Sequence, residues 1–232
     1  MNPPKTGRKY AVHITPEAGT AVAQPARQHS SPRQPRRTTP LTKTTEASCR
    51  QSRSRLKKFA VARSLHLCIT LTYRHLPDDP TKDLTDYLDN IRPFYTKPLD
   101  WASVTETGET DQHRPHHHIL LPKHPNPLKI ASNWPHGNVH VGINPTDNDI
   151  RRAATYISHQ FKTPSPNKNR FRRSQHRTPQ THTTYTNTIE QAHNIIHQHI
   201  PPNTTTTTYD PHCGHRTITY WNPHTPAGES KT

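Results

Sequence analysis

Leu65-His66-Leu67-Cys68-Ile69-Thr70-Leu71-Thr72-Tyr73 alternates strictly, with Leu65, Leu67, Ile69, Leu71 and Tyr73 on one face and smaller or polar residues on the other. Side chains alternate across a strand, so this run predicts a β-strand with one buried face. Working outward, a Pro-Asp-Asp-Pro loop at 77–80 precedes residues 83–95, where Leu84, Tyr87, Leu88 and Ile91 repeat at helical spacing. That is one apolar stripe of an amphipathic helix. Residues 101–107 read as a second strand, with Ala102, Val104 and Glu106 on a shared face. Residues 116–121 read as a third, bounded by Pro115 and Pro122. Trp134-Pro135-His136-Gly137 reads as a turn, and residues 138–143 as a fourth strand facing inward through Val139, Val141 and Ile143. Asp147 or Asp149 then caps a helix carrying Ile150, Ala154, Ile157 and Phe161. The middle of the chain is therefore a small core mixing strands and helices. Beyond it, Thr188-x-x-Gln191 is a capping box for a helix over 189–199, and residues 204–209 and 216–221 pair as a hairpin across 210–214.

Composition limits how large that core can be. The chain has 232 residues, of which 28% are apolar and seven are glycine. An ordinary soluble domain reaches roughly 45–50% on the combined count. So few apolar groups cannot offset the ordering entropy of the whole chain, which predicts tails around a modest core. No run approaches the roughly 20 apolar residues of a membrane span. Met1-Asn2-Pro3-Pro4-Lys5 lacks the apolar segment of a signal peptide, so a cytoplasmic protein with no membrane partner is expected. Three scattered cysteines, Cys49, Cys68 and Cys213, exclude a disulfide framework.

Thirty-one Lys and Arg against 16 Asp and Glu give a formal net charge of +15, which points to a polyanionic partner. The charge is uneven. Residues 1–58 hold 13 basic and two acidic side chains, residues 59–161 hold 10 and 11, and residues 162–177 hold six basic and none acidic. The first segment is rich in Pro, Thr, Ser, Gln and Arg without periodicity and reads as a disordered basic tail. This divides the chain into a tail (1–58), a core (59–177) and a C-terminal helix and hairpin extension (178–232). Removing the tail is expected to leave the chemistry intact. Lys162, Arg170, Arg172 and Arg173, just after the last core helix, are the candidates for contacting nucleic-acid phosphates.

Three features of the core carry chemistry. On a strand, His116 and His118 project from one face about 7 Å apart and can grip a single ion. Glu106, on the preceding strand, can add a carboxylate if the two strands pair. A His-His-carboxylate set leaves coordination positions open. Tyr156 lies beside the apolar stripe of its helix rather than in it, with Arg152 and His159 at i−4 and i+3. With 20 histidines in the chain, His-x-His alone is weak evidence for a metal. A hydrolase barrel of the amidohydrolase kind also uses such a pair, but it needs about 250 residues, more than this core has. His212-Cys213-Gly214-His215 is a poor tetrahedral zinc set and reads as a turn.

The order of these features resembles the HUH endonucleases, specifically the rolling-circle replication initiators of plasmids and single-stranded DNA phages. Ile69-Thr70-Leu71-Thr72-Tyr73 is similar to their first motif. Glu106-Thr107-Gly108-Glu109 followed by Arg114-Pro115-His116-His117-His118-Ile119-Leu120-Leu121 is similar to their second, and Ala153-Ala154-Thr155-Tyr156-Ile157-Ser158 to the start of their third. Trp134–Val139 resembles an element between the last two. The family's usual lysine after the nucleophile is His159 here, and the second tyrosine of many members is Gln160. Lys162 stands about 240° from Tyr156 on a helical wheel, so a two-tyrosine mechanism is not supported.

The resemblance implies an α+β fold, a central antiparallel sheet with flanking helices. It implies a metal-dependent endonuclease and strand transferase that nicks one DNA strand, becomes linked to the 5′ end through tyrosine and leaves a 3′-hydroxyl primer. Tyr156 is then the nucleophile, helped by Arg152 and His159. His116, His118 and Glu106 hold Mg²⁺ or Mn²⁺, with Glu109 a lesser candidate and His117 turned to the opposite face. The partner is single-stranded or hairpin origin DNA, and unwinding falls to a host helicase. The rival expectation is a non-catalytic basic DNA-binding protein, a degenerate initiator.

Overall fold

The computed structural model describes residues 10–26, 41–106, 114–162, 171–175, 178–202, 204, 206–209 and 216–224. In chain order its elements are β1 (Tyr10–Thr15), β2 (Thr20–Pro25), α1 (Leu41–Ala62), β3 (Leu67–Thr72), α2 (Pro80–Ile91), β4 (Ala102–Glu106), β5 (His116–Leu121), α3 (Pro127–Ala131), β6 (Val139–Ile143), α4 (Asp147–Ile157), β7 (Arg172–Arg173), β8 (His182–Thr186), α5 (Ile189–His199), β9 (Thr207–Tyr209) and β10 (Thr217–Tyr220). The fold is α+β with two antiparallel sheets. Two compact units divide it: residues 40–177, and residues 1–39 together with 178–232.

The unit of residues 40–177 is built on a sheet of order β6-β3-β5-β4-β7. Leu67, Ile69 and Leu71 of β3 and Ile119 and Leu121 of β5 face α2 and α3, where they pack with Leu84, Tyr87, Leu88, Ile91, Ile130 and Trp134. Ala102, Val104 and Leu120 face the other way, toward Leu56, Phe59 and Ala60 of α1 and Ile150, Ala154 and Ile157 of α4. The strict alternation read in the sequence thus serves two apolar layers.

Helix boundaries shift where capping was misread. The helix expected from residue 83 starts at Pro80, because Asp79 accepts hydrogen bonds from the backbone N–H groups of Thr81 and Lys82 at 2.9 and 3.0 Å. Pro80 fits the first helical position, where no N–H is needed. α4 is capped by Thr146 rather than by Asp147 or Asp149: Thr146 Oγ1 accepts from the Asp149 N–H while the Asp149 carboxylate accepts from the Thr146 N–H. This is the reciprocal capping box. The chain tightens into a 3-10 turn over Ser158–Lys162, which seats Phe161 in the core.

The basic segment 1–58 is not a tail where the structure describes it. α1 lays Cys49, Leu56 and Ala60 along one stripe against α4, and Arg53 donates to Ser158 Oγ at 3.1 Å. A polar majority on its outer face concealed that stripe. β1 and β2 form a hairpin that pairs with β8 and β10 in the second unit's sheet, of order β8-β1-β2-β10-β9. Val12, Ile14, Ala21 and Ala23 meet Ala192 and Ile196 of α5 and Trp221 on one face of that sheet. Gly19, at φ +51°, closes the hairpin, and a Cβ there would run into the Trp221 carbonyl. The predicted helix over 189–199 and the C-terminal hairpin are present, the latter as β9 and β10. β8 escaped sequence reading because His182-Thr183-Thr184-Tyr185-Thr186 has no apolar face. No described helix is long and apolar enough to cross a membrane.

The chemistry is therefore not expected to survive removal of residues 1–58. Leu56→Ala, inside that segment but fully buried, should lower stability by about 2–5 kcal/mol, measured by urea denaturation. An unchanged midpoint would mean that α1 does not cover the sheet.

Candidate active site

β5 pairs with β3 on one side and β4 on the other, and the registers decide what meets. Thr72, His116 and Glu106 form one row across the sheet, and Thr70, His118 and Val104 the next. Alternation points His116 and His118 to the α4 side and His117 to the α2 side. The Glu106 carboxylate lies 2.8 Å from His116 Nε2 and 3.6 Å from His118 Nε2. One ligand atom from each of the three residues falls within 4.8 Å of the others, so the group could hold a metal ion.

The donor set fits such an ion. Two imidazoles and a carboxylate suit a divalent cation of intermediate hardness, and three ligands leave positions open. Thr70 Oγ1 lies 3.0 Å from His118 Nδ1, which fixes the ring and leaves Nε2 free to face the Glu106 carboxylate. His118 is only 5% exposed. Burial, then the neighbouring His116, holds its pKa below the ordinary value, against an opposing pull from Glu106. A neutral imidazole is the form that can ligate. Thr70 is the site residue whose role sequence reading missed. Its signal was the polar face of Cys68, Thr70 and Thr72, legible once β3 is known to pair with β5.

His117 does face away. Its ring nitrogens lie 3.0 Å from the Tyr73 hydroxyl and 2.9 Å from Thr105 Oγ1. Trp134 stacks edge-on to Tyr73 and donates from Nε1 to the Thr72 carbonyl at 2.8 Å. Gly137 follows in the same turn, and any Cβ there would fall on that carbonyl. This accounts for the Trp-Pro-His-Gly element: it clamps the end of β3 beside the histidines. Arg114 Nη1 donates to the Tyr73 carbonyl at 3.3 Å and ties down the start of β5.

Tyr156 stands on the α4 side of the sheet. It is 70% exposed, while Ile150, Ala154 and Ile157 of the same helix are buried. Its ring meets the His118 ring edge to face at a centroid distance of 5.8 Å. Both border an open cleft of about 810 Å³, which Arg152 also lines. The Arg152 guanidinium lies 3.4 Å from Asp149. His159 is exposed on the turn after α4 and is not among the residues lining the cleft.

The basic candidates are not gathered there. Arg172, on the edge strand β7, reaches the Thr81 carbonyl and Thr85 Oγ1 of α2, on the face opposite the cleft. Arg173 lies over the Phe59 ring of α1 at 4.9 Å. Lys162 ends the 3-10 turn. Arg170, Glu109, Gln160's side chain, the 107–113 connection and the 212–215 turn lie outside the described residues.

Residues 66–163 match the family model of the replication-associated protein ORF2. That stretch runs from β3 through α4 and takes in Glu106, His116, His118 and Tyr156. The match supports a role as a replication initiator and hence an association with DNA. No curated protein and no solved structure matches the chain significantly.

Burial holds His117 at a pKa of about 4, with the charge of His116 a lesser cause. The unfolded chain, with an ordinary imidazole near 6.5, therefore binds more protons between those two values. His117 carries no penalty above about pH 6.5 and a growing one as pH falls toward 4. Stability in urea should fall by a few kcal/mol over that window, and His117→Asn should flatten the slope. An equal slope in the variant would assign the acid sensitivity elsewhere.

Proposed function

We propose that the protein is a rolling-circle replication initiator that nicks one strand of origin DNA by tyrosine transesterification. The observation that carries this reading is the edge-to-face approach of Tyr156 to His118, which sets a reachable hydroxyl beside the Glu106, His116 and His118 group. The family match over the same residues supports it.

A divalent ion, Mg²⁺ or Mn²⁺, held by Glu106, His116 and His118 would polarise the scissile phosphate and offset the charge that develops on it. Thr70 keeps His118 oriented for that task. Tyr156 gives up its phenolic proton, and its oxygen forms a bond to phosphorus as the bond from phosphorus to the 3′ oxygen breaks. The 3′ oxygen takes up a proton and leaves as a hydroxyl, a primer end. The phosphate stays on Tyr156 with the 5′ end, so the bond is conserved for rejoining. Arg152 at the mouth of the cleft can hold a phosphate oxygen near the nucleophile. One tyrosine with no second at Gln160 limits each active site to one covalent link at a time. Lys162, Arg170 and Arg173 are proposed to add phosphate contacts along the strand. Arg172 is a weaker candidate, because its guanidinium is engaged with α2.

Full-length protein with Mn²⁺ should cut single-stranded or hairpin DNA from its replicon and migrate with it as an adduct on a denaturing gel. Tyr156→Phe should leave no adduct while retaining DNA affinity. A full-strength adduct in that variant, or none in the wild type, overturns the reading. His118→Ala should weaken Mn²⁺ binding by calorimetry at least tenfold, consistent with the loss of one of three ligands. Unchanged affinity would remove His118 from the metal group.

A further inference from the structure

The cleft extends well beyond the residues that would hold an ion and a phosphate. Its other half is built from β3, β6 and the loop after β6. His140 on β6 pairs with Thr70, which pairs with His118, so the three stand in one row across the sheet. Two strand spacings separate His140 from His118, about 10 Å. His140 faces the cleft and is exposed. It makes no hydrogen bond, ion pair or ring contact among the described residues.

Gly142, two residues on, faces the same way beside Cys68. Packing does not require a glycine there. A Cβ would meet the Cys68 carbonyl oxygen at 3.7 Å and its Cβ at 3.9 Å, ordinary contact distances. The missing side chain instead leaves the cleft floor low, between the His140 ring and the Ala153 edge of α4. A flat apolar floor with a free imidazole at its side and polar groups from Asn144 and Arg152 at its rim suits a planar heterocycle with hydrogen-bonding edges. Sites of this size and mixture commonly take such ligands.

We propose that His140 and Gly142 form a nucleobase subsite, which seats the base of the nucleotide adjoining the scissile phosphate. The inference rests on the nicking reading above and adds a specificity role for β6. His140 stacks on the base, an interaction available to any aromatic ring. Gly142 supplies the room beneath it. Thr70 and Thr72 line the path between this subsite and the histidine pair.

The test uses full-length protein, Mn²⁺ and a pool of random single-stranded 30-mers, with the covalently attached strands sequenced. Wild-type adducts should share a preferred base at a position flanking the cut. Gly142→Leu should lower adduct yield at least tenfold, with an unchanged thermal midpoint and unchanged Mn²⁺ affinity. His140→Ala should flatten the preference at that one position, and His140→Phe should restore stacking and yield. Wild-type yield and preference in both Gly142→Leu and His140→Ala overturn the subsite while leaving nicking intact. If the wild type forms no adduct, the nicking reading fails. The subsite is then judged by anisotropy with labelled dT4 and dA4: weaker binding by Gly142→Leu supports it, and equal binding overturns it.

Discussion

The register of β3, β5 and β4 is the constraint on which the site depends. Antiparallel pairing sets Glu106 opposite His116 and Thr70 opposite His118. A slip of one residue would turn both histidines to the α2 layer and bring His117 to the cleft. Burial prevents it. Leu67, Ile69, Leu71, Ile119 and Leu121 would all have to leave one apolar layer together. The tyrosine inherits the same constraint, because α4 is held on the sheet by Ile150, Ala154 and Ile157.

Charge plays a smaller part in building the site than the composition suggests. The group around the histidines uses one carboxylate and two imidazoles, one of them nearly buried. Arg53 and Arg172, which composition alone would assign to DNA, are engaged within the fold, the first at Ser158 and the second at α2. An arginine that donates to a buried helix end satisfies carbonyl and hydroxyl groups that would otherwise lack partners.

Much of the site was legible before the structure. Alternation alone put His116 and His118 on one face and His117 on the other, and helical spacing put Tyr156 beside its apolar stripe. Those are local properties, with periods of two and 3.6 residues. The pairing of Glu106 with His116 needed only that two adjacent strands meet. What was not legible depended on distant residues or on weak patterns. α1 hides a narrow stripe under a basic exterior. β1 and β2 rely on alanines, valine and isoleucine between Pro-rich and Arg-rich flanks, and β8 has no apolar face to reveal it.

Sequence by itself determined the elements of the middle of the chain and the chemistry they carry, because hydrophobic periodicity and residue type are local. Only the tertiary structure decided that Thr70 orients His118, that Tyr156 meets that ring across the cleft and that α1 covers the sheet beneath. It also decided that residues near the N-terminus pair with β8, some 170 positions away in the chain. Such contacts are set by which surfaces can be buried together, and that choice is made by the whole fold rather than by any one segment.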